Sequence, residues 1–361
     1  MKRTNPWLRI VAALMMFSLI AAACGGDDEG DATSTESSGD DAAEAETPAE
    51  EEGEAAEEAA GDRSDWPDTL TFGSVPAENA ENLAEWVTPQ ILSDELGIEI
   101  EFLQAADYAG VIEGMIAEKV DIGGFGAFSY VIATGNGADI DVAGVWAGET
   151  PDTIGDYRSY AITQADNEEI NSLEDFAGKT ICFVDPGSTS GFLFPSEGLL
   201  SIGLDPNEGS ADLNPTFAGG HDAAAIAVAN GDCDAGYAYD SMVTSQLISD
   251  GAISGVIDTV EDENVNPDDA DLKIVWKSLP IAAPPLAVGN WLPEDLKAEI
   301  VEIITTKVNI DWAAENGYCE VADETCILSD GFTWGFLPAD DTYFDGIRQL
   351  CDVTGAAQCL G

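Results

Sequence analysis

From residue 66 onward, short runs of β-branched and aromatic residues alternate with longer stretches in which apolar residues recur every three or four positions. The first pattern predicts buried strands, and the second predicts amphipathic helices. The predicted strands span residues 70–75, 98–103, 121–125, 141–147, 158–163, 180–184, 234–239, 273–277 and 286–288. The predicted helices span residues 79–95, 108–118, 128–134, 191–202, 222–230, 241–249, 294–308 and 340–353. This alternation is typical of an α/β fold with mostly parallel sheets flanked by helices.

The first 65 residues lack this periodicity, and their beginning has the features of an export signal. Residues 1–9 carry three basic residues, and residues 10–23 form an apolar run too short to span a bilayer comfortably. The run ends in the motif Ala-Ala-Ala-Cys at Cys24, which resembles the bacterial lipobox, whose cysteine is lipidated and becomes the new N-terminus. We therefore expect residues 1–23 to be a lipoprotein signal peptide and Cys24 to carry a membrane anchor. A plain secretory signal, cleaved after Ala23, is the alternative.

An acidic segment separates this signal from the periodic part of the chain. Residues 27–65 contain 17 acidic residues and one basic residue, and residues 24–65 contain no aromatic residue. Such a composition cannot bury enough apolar surface to offset the entropy lost on ordering. Residues 24–65 are therefore predicted to be a disordered tether, whose self-repelling charges hold the rest of the protein away from the membrane surface.

The charge of the whole chain excludes one class of partner. Seventy Asp and Glu residues against twelve Lys and Arg residues give a formal net charge of −58. Nucleic acids are bound through clustered cations that release counterions from the phosphate backbone, so we expect no nucleic-acid partner. The 361 residues suffice for two domains of ordinary size, and no stretch after the signal reaches 18 apolar residues.

Six cysteines remain besides Cys24, a number that fits an exported protein with disulfide bonds. They are Cys182, Cys233, Cys319, Cys326, Cys351 and Cys359. Six cysteines allow fifteen pairings, and the sequence does not choose among them. The short intervals 319–326 and 351–359 favour local loops, which would leave Cys182 with Cys233. Metal binding is the competing interpretation, but the chain has one histidine and no Cys-x-x-Cys motif, so no metal or cofactor is predicted.

The candidate chemistry lies in loops that join a predicted strand to a predicted helix. Ser188, Thr189 and Ser190 stand between two glycines in such a loop. Their hydroxyls and the free N–H groups of the first helical turn therefore converge on one point, which predicts an anion site. A simple serine N-cap is the alternative, but it needs only one hydroxyl.

Two further loops offer hydrogen-bond donors. His221, the only histidine, begins a predicted helix directly after two glycines. Its imidazole can donate to an oxyanion, although a lone histidine is also commonly structural. The loop after the strand at 121–125 could add backbone N–H donors at Ala127 and Phe128, or its glycines could serve only tight packing.

Four segments together carry a resemblance to a known protein family. They are DYAGVIEGM at 107–115, FVDPGSTSGF at 183–192, GGHDAA at 219–224 and IVWKS at 274–278. In this order and at these intervals they resemble the phosphonate, phosphite and phosphate substrate-binding proteins of ABC transporters, over about residues 69–310. The Ser-Thr-Ser-Gly loop followed by Gly-His-Asp is the most specific part of the resemblance.

The resemblance implies a two-lobed periplasmic-binding-protein fold of type II, in which the chain crosses twice between the lobes and the ligand binds in the cleft. Residues 66–160 are then expected to form the first part of lobe 1, and residues 161–271 to form lobe 2. Residues 272–361 are expected to return to lobe 1 and to end in C-terminal helices. Residues 260–271 are polar and rich in turn-forming residues, and we expect a crossing there.

The resemblance also implies roles for individual residues. Residues 188–190 and His221 are expected to contact a phosphorus oxyanion, while Tyr108 and Tyr157 are expected to close over it. Each tyrosine offers a hydroxyl donor on an aromatic ring. For Tyr108, a half-buried core position is the alternative.

The rest of the ligand is suggested by a departure from the family pattern. Relatives that bind 2-aminoethylphosphonate use carboxylates to hold its ammonium group. Ser241 and Pro284 stand at the corresponding positions here, although the neighbouring Asp240 could substitute. Phosphite, methylphosphonate and phosphate are therefore the expected ligands.

Together these features predict an exported, lipid-anchored receptor, expected to be monomeric, that captures a phosphorus oxyanion and delivers it to the permease and ATPase of an ABC importer. It is not expected to be an enzyme. The main rival is a secreted serine hydrolase, but threonine stands where a Gly-x-Ser-x-Gly elbow needs its nucleophile. Two further alternatives are the same fold with a sulfonate, nitrate or thiamine precursor as ligand, and a sensor that docks to a membrane kinase.

Overall fold

The computed structural model describes residues 63–76, 86–148, 150–207, 209–319, 326–328 and 333–360. The predicted signal peptide, Cys24 and nearly all of the acidic tether lie outside the described residues. Within the described ranges, every helix falls short of the length and apolar character that a membrane span requires.

The β-structure of the described residues consists of two six-stranded sheets and a two-stranded ribbon. In chain order, the strands are β1 (Thr69–Ser74), β2 (Glu99–Leu103), β3 (Ile122–Gly124), β4 (Ile140–Trp146), β5 (Asp156–Tyr157), β6 (Ser159–Gln164), β7 (Thr180–Phe183), β8 (Asn214–Phe217), β9 (Ala235–Tyr239), β10 (Val256–Asp258), β11 (Leu272–Lys277), β12 (Ile281–Ala282), β13 (Pro285–Gly289) and β14 (Phe336–Leu337). The first sheet has the order β14-β4-β13-β3-β1-β2, and the second has the order β10-β11-β6-β9-β7-β8. We call the first sheet with its helices lobe 1 and the second lobe 2.

Helices cover the faces of both sheets. They are α1 (Val87–Leu96), α2 (Tyr108–Ile116), α3 (Ala127–Gly135), α4 (Phe194–Ser201), α5 (His221–Ala229), α6 (Leu247–Ser249), α7 (Glu294–Thr306), α8 (Ile310–Glu315) and α9 (Asp345–Thr354). Two of them follow directly on π-helical segments, Thr189–Leu193 before α4 and Met242–Gln246 before α6.

The sheets are mostly parallel, and two of the three strands that run in the opposite direction, β6 and β13, do so for a topological reason. In the first sheet, β1 to β4 share one direction while β13 and β14 oppose them. In the second sheet, β6 opposes the other five strands. Both β6 and β13 are the first strand of their sheet after the chain arrives from the other lobe. Such a strand enters where the parallel strands end and so runs back against them. The predicted α/β architecture is confirmed.

The lobe boundaries differ from those expected. Strand β11 pairs with β6 and β10 in the second sheet, so the return to lobe 1 comes after residue 277 instead of at residue 272. The polar stretch 260–271 connects β10 to β11 within lobe 2 and is not a crossing. The first strand of lobe 2 begins at Ser159, two residues before the expected boundary. Polar, turn-rich composition marks an exposed connection, but it does not distinguish a loop within one sheet from a crossing between two.

The two true crossings run side by side. Strands β5 and β12 lie in the two connections between the sheets and pair antiparallel, with Tyr157 opposite Ile281 and Asp156 opposite Ala282. This ribbon places Tyr157 between the two lobes.

Each lobe has a packed apolar interior that holds its strand ends in place. In lobe 1, Phe72 of β1, Ile91 of α1 and Ile303 of α7 are buried in one cluster. In lobe 2, the ring of Phe183 in β7 stacks on that of Tyr237 in β9, with centroids 5.3 Å apart. Burial of one such side chain contributes roughly 1.5–3 kcal/mol. The loops that follow these strands therefore start from fixed positions.

The six cysteines of the periodic region lie in three pairs with sulfur atoms at bonding distance. Cys182 faces Cys233 with 5.9 Å between their Cα atoms, Cys319 faces Cys326, and Cys351 faces Cys359. Of the fifteen pairings that the sequence allows, this is the one that the short intervals favour.

Candidate ligand-binding site

A cavity of about 380 Å³ lies between the two lobes, at the loops that follow the strands. Seven of the residues expected at the site line it, namely Tyr108, Tyr157, Ser188, Thr189, Ser190, His221 and Asp240. Ser241 and Pro284, which are expected to stand at the carboxylate positions of aminoethylphosphonate binders, line it as well. The chain thus brings together residues that are up to 176 positions apart in the sequence, between Tyr108 and Pro284.

The loop after β7 contributes Ser188, Thr189 and Ser190 to the lining of this cavity. The Ser188 hydroxyl caps the following helical turn by accepting the Gly191 N–H at 3.0 Å. A Cβ on Gly191 would lie 2.3 Å from Cβ of Val184, so only glycine allows this close turn. Thr189 then begins a π-helical segment, a wider turn that often occurs at functional sites. The Ser159 hydroxyl of β6 donates to the Ser190 carbonyl at 2.6 Å and fixes the end of the loop.

The expected backbone donors at Ala127 and Phe128 do not line the cavity. The Phe128 N–H instead donates to the Thr189 hydroxyl oxygen at 2.9 Å, across the boundary between the lobes. The glycine before this helix, Gly126, lines the cavity and leaves room for Thr189, since a Cβ there would approach the hydroxyl oxygen to 2.9 Å. The strand-to-helix pattern predicted free N–H groups, but it did not reveal that a side chain of the other lobe would accept the N–H of Phe128.

His221 begins α5 and is held by its neighbours in one tautomer. Its Nδ1 accepts the backbone N–H of Tyr239 at 3.3 Å, so the ring proton resides on Nε2. Nε2 lies 3.4 Å from the Ser188 hydroxyl oxygen, at the cavity wall. The side chain is 3% exposed, and burial lowers its pKa to about 3. His221 is therefore a neutral hydrogen-bond donor at neutral pH.

Asp240 is the acidic group at the end of β9. Its two carboxylate oxygens accept the backbone N–H groups of Arg158, at 2.9 Å, and of Ser241, at 2.8 Å. Burial raises its pKa, and these backbone hydrogen bonds lower it in part. The carboxylate lines the cavity and retains acceptor positions, because an ionised carboxylate has about four lone-pair sites.

The two tyrosines are placed by different means. Tyr108 is buried at the first turn of α2, behind Asp107, whose carboxylate caps this helix by accepting the Gly110 N–H at 2.9 Å. The Tyr108 N–H donates to the carboxylate of Asp185 in the loop after β7, so this contact also joins the lobes. Tyr157 is half-buried in the connecting ribbon.

This chain matches a known protein family over most of its described part. Residues 72–342 match the profile of the periplasmic substrate-binding protein of phosphonate ABC transporters. The chain belongs to this family. Its predicted periplasmic-binding-protein fold is thereby confirmed, and the family works outside the cytoplasm together with an ABC transporter.

Individual relatives agree with this assignment. The chain is 38% identical to the phosphate-import protein PhnD of Mycolicibacterium smegmatis, over 98% of both chains. It is 32% identical to the phosphonates-binding periplasmic protein of Escherichia coli, over 78% of this chain and 75% of that one. A crystal structure of a binding-protein component of a phosphonate ABC transporter from Pseudomonas aeruginosa superposes with a TM-score of 0.62 at 26% identity, covering 80% of this chain and 88% of that one. These relatives are substrate-binding proteins and not enzymes.

In this member of the phosphonate-binding family, no described lysine or arginine lines the cavity. Nine of the twelve Lys and Arg residues are described, and the other three are Lys2, Arg3 and Arg9. None of the nine lines the cavity. The ammonium of Lys277 lies 4.8 Å from the ring centroid of Tyr160, and that ring lines the cavity. An anion in this site would therefore be held by hydroxyls, amides and a neutral imidazole.

Several lining residues escaped the sequence analysis. Tyr160, Tyr239, Thr244, Trp146 and Asp156 line the cavity but do not belong to a recognisable loop motif. Tyr239 directly precedes Asp240 at the end of a predicted strand, and this adjacency was the one available signal. The others reach the cavity through the pairing of strands that are distant in the chain.

The described residues contain one cluster of carboxylates at metal-binding distances, and it is already neutralised. Oxygens of Asp258, Glu261 and Glu263 lie within 4.8 Å of one another. The Lys277 ammonium stands among them, 2.7 Å from Asp258 and from Glu261. Burial lowers the pKa of Lys277, but its hydrogen bonds to these carboxylates outweigh burial and hold the pKa above its usual value. An ammonium thus takes the position that a metal cation would take.

Ser188 and His221 do not form a catalytic pair despite their proximity. A general base needs a free lone pair on the nitrogen that faces the serine, and in His221 that nitrogen carries the proton. The other ring nitrogen meets a backbone N–H instead of the carboxylate that orients the histidine in a catalytic triad. The site is built to donate hydrogen bonds, which agrees with the non-enzymatic relatives.

Proposed function

We propose that this protein is the lipid-anchored receptor of an ABC importer and that its interlobe cavity captures phosphite, a small alkylphosphonate or phosphate. The observation that supports the proposal is that Ser188, Thr189, Ser190 and His221, which offer three hydroxyls and an Nε2–H, all line one cavity. A tetrahedral oxyanion offers acceptors in several directions and matches such a set of donors.

The affinity arises at short range. With a formal net charge of −58, the chain repels an approaching anion, so long-range attraction does not assist capture. Hydrogen bonds to a charged group contribute about 1.5–3 kcal/mol each, and the gain is largest where water is excluded. Three hydroxyls and one imidazole N–H in an interlobe cleft suffice for tight binding without a lysine or arginine.

The preference for a small ligand rests on two residues of the cavity lining. Ser241 and Pro284 line the cavity, and neither can pair with an ammonium group. Asp240 and Asp156 also line the cavity, but neither stands at the positions where relatives that bind 2-aminoethylphosphonate are expected to carry the carboxylates for its ammonium group. We therefore place phosphite, methylphosphonate and phosphate ahead of 2-aminoethylphosphonate.

Calorimetric titration tests this function. Purified protein without its signal peptide is titrated with phosphite, methylphosphonate, phosphate, 2-aminoethylphosphonate, sulfate and methanesulfonate. We expect at least one of the first three to bind with a Kd below about 1 μM and sulfate to bind at least a hundredfold more weakly.

Two variants test whether the proposed donors bind the ligand. Ser188→Ala and His221→Ala are each expected to weaken binding at least tenfold, because each loses a donor to the oxyanion. Ser249→Ala removes an exposed serine of α6 and serves as the control with unchanged Kd. Binding of a sulfonate or sulfate in preference to every phosphorus oxyanion, or unchanged affinity in both site variants, would contradict the proposal.

A further inference from the structure

We propose that the cavity selects the singly ionised, still protonated form of its phosphorus oxyanion, and that Asp240 accepts the hydrogen bond from the P–OH group of the ligand. This inference rests on the proposed function and adds the protonation state of the ligand. It also makes Asp240 a determinant of specificity.

The first observation is the charge of the groups that face the cavity. The titratable groups lining it are the imidazole of His221, the carboxylates of Asp156 and Asp240, and the hydroxyls of Tyr108, Tyr157, Tyr160 and Tyr239. The only formal charges that these groups carry at neutral pH are the negative charges of the carboxylates. A second negative charge on the ligand would therefore meet repulsion without a compensating cation.

The charged groups behind the lining do not change this balance. The Lys277 ammonium behind Tyr160 is paired with three carboxylates. The Arg158 guanidinium donates to the Ser278 carbonyl at 2.8 Å and does not line the cavity. On the lobe 2 side, the loop after β7 adds the carboxylate of Asp185, which accepts the N–H groups of Gly187 and Tyr108.

The second observation is that the cavity lining contains an acceptor residue, Asp240, besides the donors. Hydroxyls and imidazole satisfy the unprotonated oxygens of the ligand, but only a proton on the ligand can satisfy a carboxylate that faces it. Asp240 lies one residue after Tyr239, whose N–H fixes the His221 ring, so donor and acceptor are joined through one short backbone segment. A phosphonate monoanion offers two unprotonated oxygens, which share its single negative charge, and one P–OH group.

The same chemistry excludes other oxyanions. Sulfate and sulfonates carry no proton at neutral pH and would bring an oxygen lone pair toward the Asp240 carboxylate. A doubly ionised phosphonate would do the same. Selection for a protonated ligand is therefore also selection against sulfur oxyanions of the same shape.

The pH dependence of binding tests the inference in the wild-type protein. Above the second pKa of the ligand, the monoanion becomes tenfold rarer per pH unit, so the Kd is expected to rise about tenfold per unit. Methylphosphonate and phosphite are compared between pH 5.5 and 8.5. Phosphite loses its second proton at a lower pH, because hydrogen donates less electron density than methyl, so its profile is expected to break at a lower pH. A break at the same pH for both ligands, or a Kd that stays constant or falls as the pH rises, would overturn the inference.

A pair of variants tests whether Asp240 causes the pH dependence of the Kd. Asp240→Asn is expected to reduce the ratio of Kd at pH 8.5 to Kd at pH 6 at least fivefold and to allow methanesulfonate to bind, because the amide can donate to an ionised oxygen. Asp234→Asn is the control, since its carboxylate accepts the Thr180 N–H outside the cavity, and it is expected to retain the wild-type profile. Circular dichroism and melting temperature establish that both variants fold.

The remaining outcomes also separate the two proposals. Tighter binding of 2-aminoethylphosphonate than of methylphosphonate would show that the carboxylates hold an ammonium group, and it would overturn the inference while the receptor function stands. Absence of binding to every phosphorus oxyanion at every pH would overturn the proposed function itself.

Discussion

The residues proposed to bind the ligand are hydrogen-bond donors that carry no positive charge. His221 shows how this is achieved, because one backbone N–H on Nδ1 sets the tautomer and burial keeps the ring neutral. The chemistry of Ser188 and His221 was predictable from their places in strand-to-helix loops. The tautomer was not, because it depends on Tyr239, which comes from a different strand.

Burial of His221 predicts a specific response of stability to acid. The unfolded chain protonates this histidine near pH 6.5, whereas the folded chain holds its pKa at about 3. Between these values the unfolded state binds a proton that the folded state does not, so stability falls as the pH drops below 6.5. At pH 5 this costs about 2 kcal/mol.

The measurement is urea denaturation at pH 7 and pH 5 for wild type and His221→Gln, without ligand. Glutamine offers a donor and an acceptor but does not titrate. The variant is expected to lose about 2 kcal/mol less than wild type on acidification. Equal losses in both proteins would show that the imidazole is accessible to protons in the folded state.

The close packing around Gly191 leaves no room for a side chain at this position. Its missing Cβ leaves space for Val184 and for the Ser188 hydroxyl, which a Cβ would approach to 2.8 Å. Gly191→Ala is expected to destabilise the protein by about 1–3 kcal/mol and to weaken ligand binding. Gly346→Ala, in α9, has no atom within 4 Å of the new methyl group and is expected to be neutral or slightly stabilising. Comparable melting temperatures for the two variants would rule out this packing argument.

Among the elements, the longer strands were predictable from periodicity, whereas the short elements β5, β8, β10, β12, β14 and α8 were not predicted. All nine predicted strands are present to within two residues at either end. Strand β8 was missed because Pro215 and largely exposed side chains remove its alternating pattern, as is common in an edge strand. The two-residue strands β5 and β12 form only through each other and carry no pattern of their own. The π-helical geometry of Thr189–Leu193, directly before α4, was likewise not predicted, because its sequence pattern is the same as that of an α-helix.

The cysteine pairs link these elements, and we propose that they are disulfides. Cys182 and Cys233 close a loop of 51 residues in lobe 2, whereas Cys351 and Cys359 close one of 8 residues. A cross-link restricts the unfolded chain more when its loop is longer. Replacing the first pair by alanine is therefore expected to cost about 1–2 kcal/mol more unfolding free energy than replacing the second.

Two measurements check this expectation. Chemical denaturation of the two double variants gives the difference in stability, and mass spectrometry of non-reduced peptides gives the pairing. A different pairing in the peptides, or a greater loss from the short loop, would refute the proposal.

At the scale of the whole molecule, contacts between the lobes surround the cavity. Thr189 and Asp185 of lobe 2 accept the N–H groups of Phe128 and Tyr108, which lie in the first turns of two helices of lobe 1. The two-lobed architecture was predictable from the alternation of elements together with the family resemblance. The position of the second crossing was not, because a polar loop within lobe 2 has the composition expected of a crossing.

The N-terminal segment predicts how the protein is held in place. If Cys24 is lipidated, the expressed full-length chain is expected to partition into the membrane fraction, and Cys24→Ser is expected to abolish labelling by a radioactive fatty acid. Several acyl chains on one cysteine give stable anchoring, since each buried CH₂ contributes about 0.8 kcal/mol. Ser249→Ala, which lies in the described body and leaves every cysteine in place, is the control for an unrelated substitution. Labelling that survives in Cys24→Ser would exclude this residue as the anchor.

The most direct test of the whole account is a crystal structure with methylphosphonate bound. The account predicts phosphonate oxygens within hydrogen-bond distance of the hydroxyls of Ser188, Thr189 or Ser190 and of Nε2 of His221, with no lysine or arginine in contact. A ligand bound elsewhere, or an oxyanion held by a cationic side chain while these groups point away from it, would contradict it.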